Sequence, residues 1–337
     1  MSPAKILFIG LGGAGQRHLR ILRRLLPDTP FVAYRRTKAT PLLAADFSVA
    51  TGDLAAAHNV RMADSLEQAF AEKPDLTVIS TPTAAHREPM LMALEAGSGV
   101  LVEKPWAENL EQFALFRDGM LERGLPFQIS FQRRFHPYMV RTRQALAEGT
   151  IGRPLAAAFT VYSNVPAWHP YEDWRSLYAV RPDLGGGVLL TEIHEIDLAH
   201  WFFGLPQAVF CCGGNRAPEK LGVEDTVQFT LLYPDFSVQM TLCFMHAKPA
   251  RYFHIAGTDG DIVWTAEGNR LELNGTQLAD PTFANDAMFE AQAHRFLSEW
   301  TTEDSRQALD AAGGSLAIVE AARASMLSGR AEPVRRP

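Results

Sequence analysis

Three glycines carry the first chemistry legible in this sequence. Gly10, Gly12 and Gly15 stand as G-x-G-x-x-G, with Gly13 and Ala14 inside the run. In such a run the first glycine permits a tight strand-to-helix turn, and the second lets backbone approach a diphosphate. The third lets the helix pack closely on its sheet. Backbone N–H groups at the helix start then face the anion. The run alone is weak; a buried strand before it and a helix after it supply the confirming context. About twenty residues further on, an NAD site usually places Asp or Glu to hold the ribose hydroxyls. Here that stretch reads Tyr34-Arg35-Arg36-Thr37-Lys38, with no carboxylate. Two guanidinium groups can grip a 2'-phosphate through paired hydrogen bonds. The residues favour NADP, with NAD still open; a solvated basic loop is the bland alternative.

Further stretches combine polar, aromatic and titratable types. Glu103-Lys104-Pro105 follows an apolar run, Ser80-Thr81-Pro82-Thr83 precedes His86, and Gly185-Gly186-Gly187 leads to Glu192, His194, Glu195 and Asp197. Spacing on a helix puts Glu192 and Glu195 on one face and His194 elsewhere. Trp168-His169-Pro170-Tyr171-Glu172-Asp173-Trp174-Arg175 mixes aromatic faces with charges. Rings that pack on C–H faces beside hydrogen-bonding groups suit a sugar. A structural loop or a dimer contact fits the same residues. No tight ligand motif joins His194, His200 and His254, so no metal site is expected.

The elements that must position these groups alternate in the first part of the chain. Lys5 to Ile9, Phe31 to Tyr34, Leu76 to Ser80, Val100 to Glu103 and Phe127 to Phe131 read as strands. Helical spacing appears at His18 to Leu26, Ala63 to Glu72, Glu88 to Glu95 and Asn109 to Arg123. Short apolar strands alternating with helices imply a doubly wound parallel sheet, the α/β Rossmann architecture. Beyond about residue 150, Leu155 to Tyr162, Val209 to Cys212, Thr226 to Tyr233, Ser237 to Phe244, Arg251 to Gly257 and Asp261 to Thr265 read as strands. Several alternate apolar with polar residues, as antiparallel strands with two unlike faces do. Gly185 to Phe203 is a glycine turn entering a helix, and Ser315 to Ser328 a final helix ended by Gly329. The expected plan is a Rossmann domain over 1–125, then an α+β domain with a mainly antiparallel sheet over 126–337. The final helix is free to pack back on the first domain.

Bulk properties narrow the class. At 337 residues two domains are the natural prior, and 47% hydrophobic with 21% charged residues excludes disorder. A net charge of -6 without a basic run argues against a nucleic-acid binder. The three cysteines, Cys211, Cys212 and Cys243, form no C-x-x-C pair, which fits a reducing compartment and a cytoplasmic location. No apolar run is long enough to span a bilayer.

Taken together, the glycine turn, Ser80-Thr81-Pro82-Thr83 with His86, Glu103-Lys104-Pro105 and the glycines before His194 and Asp197 resemble the Gfo/Idh/MocA oxidoreductases. The resemblance covers nearly the whole chain. It implies that the second domain carries a large, mainly antiparallel open sheet, whose uncovered face wants a partner, so a homodimer or homotetramer is expected. It also implies hydride transfer on a hydroxyl or carbonyl of a sugar, polyol or related ring. It maps the family's catalytic lysine onto Lys104 and its histidine onto His194. The cofactor would contact Ser80, Thr81, Pro82, His86 and Glu103 besides the glycine turn, Arg35, Arg36 and Thr37. A cis bond before Pro105 is implied too. The stretch Gln132-Arg133-Arg134-Phe135-His136-Pro137 would border the reaction site, making Arg134 a substrate candidate with Trp168, His169, Arg175, Glu192 and Asp197. Histidine titrates in the working range, and an ammonium stabilises charge developing on oxygen. One departure stands out. Many members carry Asp four residues before the histidine, and here that position is Leu190, followed by Thr191. Glu192 or Glu195 would replace it, or be solvated or paired; Asp197 would orient the imidazole or be a structural helix charge. Two rival functions follow from the same resemblance: an NAD-dependent glycoside hydrolase, and a dinucleotide-binding sensor without turnover.

Overall fold

A computed structural model describes residues 3–37, 40–169 and 171–337. Lys38 of the basic stretch and Pro170 of the aromatic stretch lie outside the described residues. The chain divides into two compact units. The first runs to Ser130 and adds His169–Asp173 and Phe289–Ala312; the second holds Phe131–Trp168, Trp174–Met288 and Gly313–Pro337.

In the first unit the alternation is β1 (Ile6–Ile9), α1 (Gly13–Leu25), β2 (Phe31–Tyr34), α2 (Leu54–His58), β3 (Val60–Met62), α3 (Leu66–Ala71) and β4 (Leu76–Ile79). It continues with α4 (Arg87–Ala96), β5 (Gly99–Val102), α5 (Leu110–Arg123) and β6 (Phe127–Ile129). The six strands form one sheet in the order β3-β2-β1-β4-β5-β6, all parallel. β1, β4 and β5 are buried at every position, which is why they read as unbroken apolar runs. Strand order reverses between β1 and β4, and the crevice beyond the strands' carboxyl ends at such a point is where ligands bind. Gly10 and Ser80 are the residues that leave those two ends. Asp53, Ser65 and Asn109 cap α2, α3 and α5 through their side chains.

In the second unit, α6 (Pro137–Ala147) precedes the long β7 (Pro154–Asn164), and α7 (Val188–Thr191) and α8 (Ile193–Phe203) follow. Then come β8 (Ala208–Gly214), β9 (Thr226–Leu232), β10 (Ser237–Cys243), β11 (Met245–Gly257), β12 (Asp261–Thr265), β13 (Arg270–Leu273) and β14 (Thr276–Ala279). α9 (Asp286–Ser298), most of which belongs to the first unit, α10 (Thr302–Ser328), which the first unit holds up to Ala312, and β15 (Glu332–Pro333) complete the chain. Nine strands make one sheet in the order β14-β13-β12-β11-β7-β10-β9-β8-β15. Its neighbours are antiparallel except β7 and β10. No helix among the described residues is long and apolar enough to cross a membrane.

Both sheets match the sequence expectation; several elements depart from it. β3 is a three-residue edge strand, too short to show periodicity. α3 begins at Leu66 because Ser65 caps it, not at Ala63. α2, α6, α9, β13 and β14 are further elements beyond the sequence expectation, although α9 has helical spacing, with Phe289, Ala293, Phe296 and Leu297 buried. α10 starts at Thr302 rather than Ser315, running straight through Gly313 and Gly314. Gly314 is there for space: a Cβ on it would stand 2.2 Å from Cε1 of His200.

Candidate functional site

In the first unit the candidate site is the crevice at the ends of β1 and β4. Gly10 has φ +89, and a Cβ on it would stand 2.8 Å from the Ser80 carbonyl oxygen. A Cβ on Gly15 would stand 2.3 Å from the Gly10 carbonyl oxygen and 2.5 Å from Ser80 Oγ. Ser80 Oγ donates to that same Gly10 carbonyl at 2.8 Å, so the two loops are stitched together. At Gly12 nothing lies within 4 Å of where a Cβ would be, which leaves the backbone open to a ligand. α1 starts here with no acidic residue in its first turn, so the first-turn amides of Gly13, Ala14 and Gly15 meet no competing carboxylate. This cradle fits a diphosphate.

Beyond β2, Arg35 Nη1 donates to the Thr40 carbonyl at 3.1 Å. Arg36 and Thr37 are exposed, and Arg36 lines a groove with Ala84, Ala85, Arg87 and Leu91. Thr81 and Pro82 form the loop after β4, which turns into a short 3-10 helix, Thr83–Ala85.

Lys104 follows β5, and its bond to Pro105 is cis. Its neighbour Glu103 is engaged by protein: His18 Nε2 of α1 lies 2.8 Å from Glu103 Oε1, and Lys104 N donates to Glu103 Oε2 at 3.2 Å. Burial pushes the Glu103 carboxyl up, but the hydrogen bond and charge of His18, with Lys104 and Ser130, outweigh it and hold it below the ordinary range. His86 is likewise buried. Its Nε2 lies 2.8 Å from the Thr81 carbonyl and its Nδ1 3.2 Å from the Trp106 carbonyl. Burial lowers its pKa. The polar atoms of His86 and Glu103 thus have protein partners, and both side chains brace the loops that carry Thr81 and Lys104.

In the second unit Gly187 opens α7, and Glu192 links it to α8. His194 is 7% exposed, its Nε2 3.4 Å from the side-chain amide nitrogen of Gln132, its ring edge-on to Phe131. The carboxylates around it are paired. Arg251, from β11, donates to Glu192 Oε2 and Glu195 Oε1, each at 2.6 Å, and Ser163 Oγ donates to Glu192 Oε1 at 2.6 Å. Burial would lower the Arg251 pKa, but Glu195 and Glu192 raise it above the ordinary value. Arg133, with Nε 3.9 Å from Glu195, is pushed down to about 10 by burial and by Arg251. Asp197 is fully buried and receives two bonds from Arg134, Nε at 2.8 Å and Nη2 at 2.7 Å, and one from Ser315 Oγ at 3.4 Å. Its carboxylate is tied to Arg134, and the same pairing limits what Arg134 can offer a substrate.

The aromatic stretch separates into two groups. Trp168 packs edge-on to Phe244, and the Arg175 guanidinium lies 4.4 Å over the Trp174 ring; all four belong to the second unit. His169 and Tyr171 belong to the first, stacked on each other at 5.1 Å. His169 also stacks at 6.5 Å on Phe47, beside the glycine turn.

Two sequence profiles match. "Oxidoreductase family, NAD-binding Rossmann fold" covers residues 4–126, and "GFO/IDH/MocA C-terminal domain" covers residues 139–263. The chain belongs to the Gfo/Idh/MocA oxidoreductase family. It is 28% identical over 212 residues to trans-1,2-dihydrobenzene-1,2-diol dehydrogenase of Bos taurus, 62% of this chain and 60% of that protein. It is 30% identical over 192 residues to 1,5-anhydro-D-fructose reductase of Ensifer adhaerens, 56% of each. The matched stretch is thus less than two thirds of either relative. The fold also resembles the WlbA dehydrogenase from Bordetella pertussis, solved with NADH and UDP-GlcNAcA: TM-score 0.79, 19% identity, 98% of this chain and 99% of that one.

For a Gfo/Idh/MocA chain, several residues with a stake in the site gave no usable signal in sequence. His18 and Gln16 sit on buried turns of α1, where a polar residue at an apolar helix position is the only hint. Arg251 looks like an ordinary surface charge until the fold buries it against Glu192 and Glu195. Among the described residues, no group of three or more His, Cys, Asp or Glu is placed to share a metal ion.

Proposed function

We propose that this chain is an NAD(P)-dependent oxidoreductase, with NADP favoured, that moves hydride between a nicotinamide and a hydroxyl or keto carbon of a sugar, sugar derivative or polyol. The observation that carries the reading is the β1–α1 turn. Open space at Gly12 is held there by glycines at 10 and 15 that admit no side chain. Arg35 and Arg36, with no carboxylate in their stretch, support NADP. The names of the relatives support the substrate class; an inositol 2-dehydrogenase of Rubrobacter xylanophilus, 27% identical over 232 residues, is a third.

The nicotinamide, when bound, supplies or accepts the hydride. In this reading Lys104 places its ammonium against the reacting oxygen and stabilises charge as it develops there. His194 takes the hydroxyl proton in oxidation and returns it in reduction. Glu192 and Glu195, fixed by Arg251, and Asp197, fixed by Arg134, hold α8 and so the His194 ring. Trp168 and Arg175 offer an aromatic face and a donor to a sugar ring, and His169 stands with the cofactor turn.

The open sheet face supports self-association. One row across it runs Phe210, Thr230, Gln239, Ala158, His254, Val263 and Glu272, uncharged over its first four residues. A second copy of the chain is its proposed cover.

The deciding experiment is a panel of sugars, polyols and keto-sugars with NADPH and NADH, followed by nicotinamide absorbance. Turnover with any member supports the reading. Dinucleotide binding without turnover across the panel favours the sensor, which the absence of a carboxylate at Leu190 and Thr191 leaves open.

A further inference from the structure

Gly13 is not required by the G-x-G-x-x-G pattern, and its backbone is ordinary helix, where alanine would be the better residue. The structure shows what excludes a side chain. A Cβ on Gly13 would stand 2.9 Å from Phe47 Cε1, 3.1 Å from Tyr171 Oη and 3.3 Å from Phe47 Cδ1. An aromatic ring and a phenol thus occupy the volume that a residue at the first position of α1 would fill.

Phe47 is held there by a built support. Residues 41–50 fold back as a small hairpin, with Leu43 bridged to Val49 and Ala44 N donating to the Ser48 carbonyl. Phe47, at its tip, has φ +65, a conformation costly for an aromatic residue and kept only where its surroundings impose it. The imposition comes from α1. Gln16, fully buried, accepts from Leu43 N at 2.8 Å and donates to the carbonyls of Pro41 at 2.8 Å and Leu11 at 3.1 Å, so one side chain joins the hairpin to the glycine turn. Arg20 donates to the Leu43 carbonyl at 3.1 Å. The Arg17 guanidinium lies 4.5 Å from the Phe47 ring centre and 4.6 Å from that of Phe289.

We propose that hairpin 41–50 is a lid on the dinucleotide seat, with the edge of Phe47 and the hydroxyl of Tyr171 closing the outer side of the diphosphate crevice and slowing cofactor release. It rests on the cofactor reading above. The chemistry suits an anion. The ring presents its edge, the positive end of the aromatic quadrupole, and the phenol presents a donor. Both face the same first turn whose amides point at phosphate. Displacing the cofactor then requires the hairpin to move as well as the diphosphate bonds to break.

The test is the dissociation rate of NADPH, read by stopped-flow fluorescence on displacement with excess NADP, in the full chain and in Phe47→Ala. The variant is expected to release NADPH about tenfold faster or more, the effect falling on the off-rate as such losses usually do. Hydrogen exchange in the unaltered chain provides a readout that needs no variant: amides of residues 43–49 are expected to slow when NADPH is added. A rate in Phe47→Ala within about twofold of the parent, or unchanged exchange over 43–49, overturns the lid while leaving the cofactor reading intact. Failure of the unaltered chain to bind either dinucleotide removes both.

Discussion

His18 Nε2 and Glu103 Oε1 lie 2.8 Å apart, joining the helix that opens the dinucleotide cradle to the residue just before Lys104. Glu103 uses its other oxygen on Lys104 N, so this carboxylate fixes the start of the Lys104 turn. His18→Ala should leave a largely buried carboxylate short of its partner and lower stability by on the order of 2–3 kcal/mol, read by urea unfolding. The pH dependence has a definite sign. Glu103 is held below its ordinary value of 4.5, so its contribution is complete above that value and fades as pH falls through the lower folded value. A parent chain whose acid unfolding midpoint coincides with that of His18→Ala would refute this.

Arg134 holds the buried Asp197 through two bonds, and removing it strands a charge. Arg134→Ala should cost about 3–5 kcal/mol at pH 7.5. Burial already keeps the Asp197 carboxyl above its ordinary value of 3.8 despite Arg134. Without the guanidinium a proton is taken up more readily, so the deficit relative to the parent should shrink as pH is lowered toward 5. Denaturant midpoints for both proteins across that interval check it; a deficit that grows on acidification contradicts it.

Lys104→Ala and His194→Ala address the chemistry directly. Each is expected to lower kcat about 10²–10⁴-fold on whichever substrate the panel identifies, while calorimetry still detects the dinucleotide. Full turnover in either variant would remove that residue from the reaction.

Cofactor preference should lie in the two arginines after β2. The double change Arg35→Ala with Arg36→Ala is expected to weaken NADPH about tenfold or more and NADH far less, since only NADPH carries the 2'-phosphate. Equal losses for both dinucleotides would assign these arginines to support of the hairpin, since Arg35 already meets the Thr40 carbonyl just before it.

Much of the first unit was readable because its determinants are local. β1, β4 and β5 are apolar at every position, and Gly10 and Gly15 are imposed by contacts with Ser80 that any chain of this topology must make. The second sheet was readable where β9 and β10 alternate. What stayed hidden depends on pairs far apart in sequence. Glu192 and Glu195 gave no sign of Arg251, Asp197 none of Arg134, and Glu103 none of His18. Phe47 lies at a hairpin tip, where neither a period of two nor one of 3.6 applies. α10 was cut short because Gly313-Gly314 imitates a helix stop.

That glycine pair also constrains how the sequence can drift. The imidazole of His200 occupies the place beside Gly314 where any side chain would begin. Neither position can therefore change alone in one direction. A larger residue at 314 is admissible only after 200 has shrunk, and once 314 has grown, the histidine cannot return. The two sites should behave as a ratchet in descendants of this chain, fixing the order in which their substitutions are accepted.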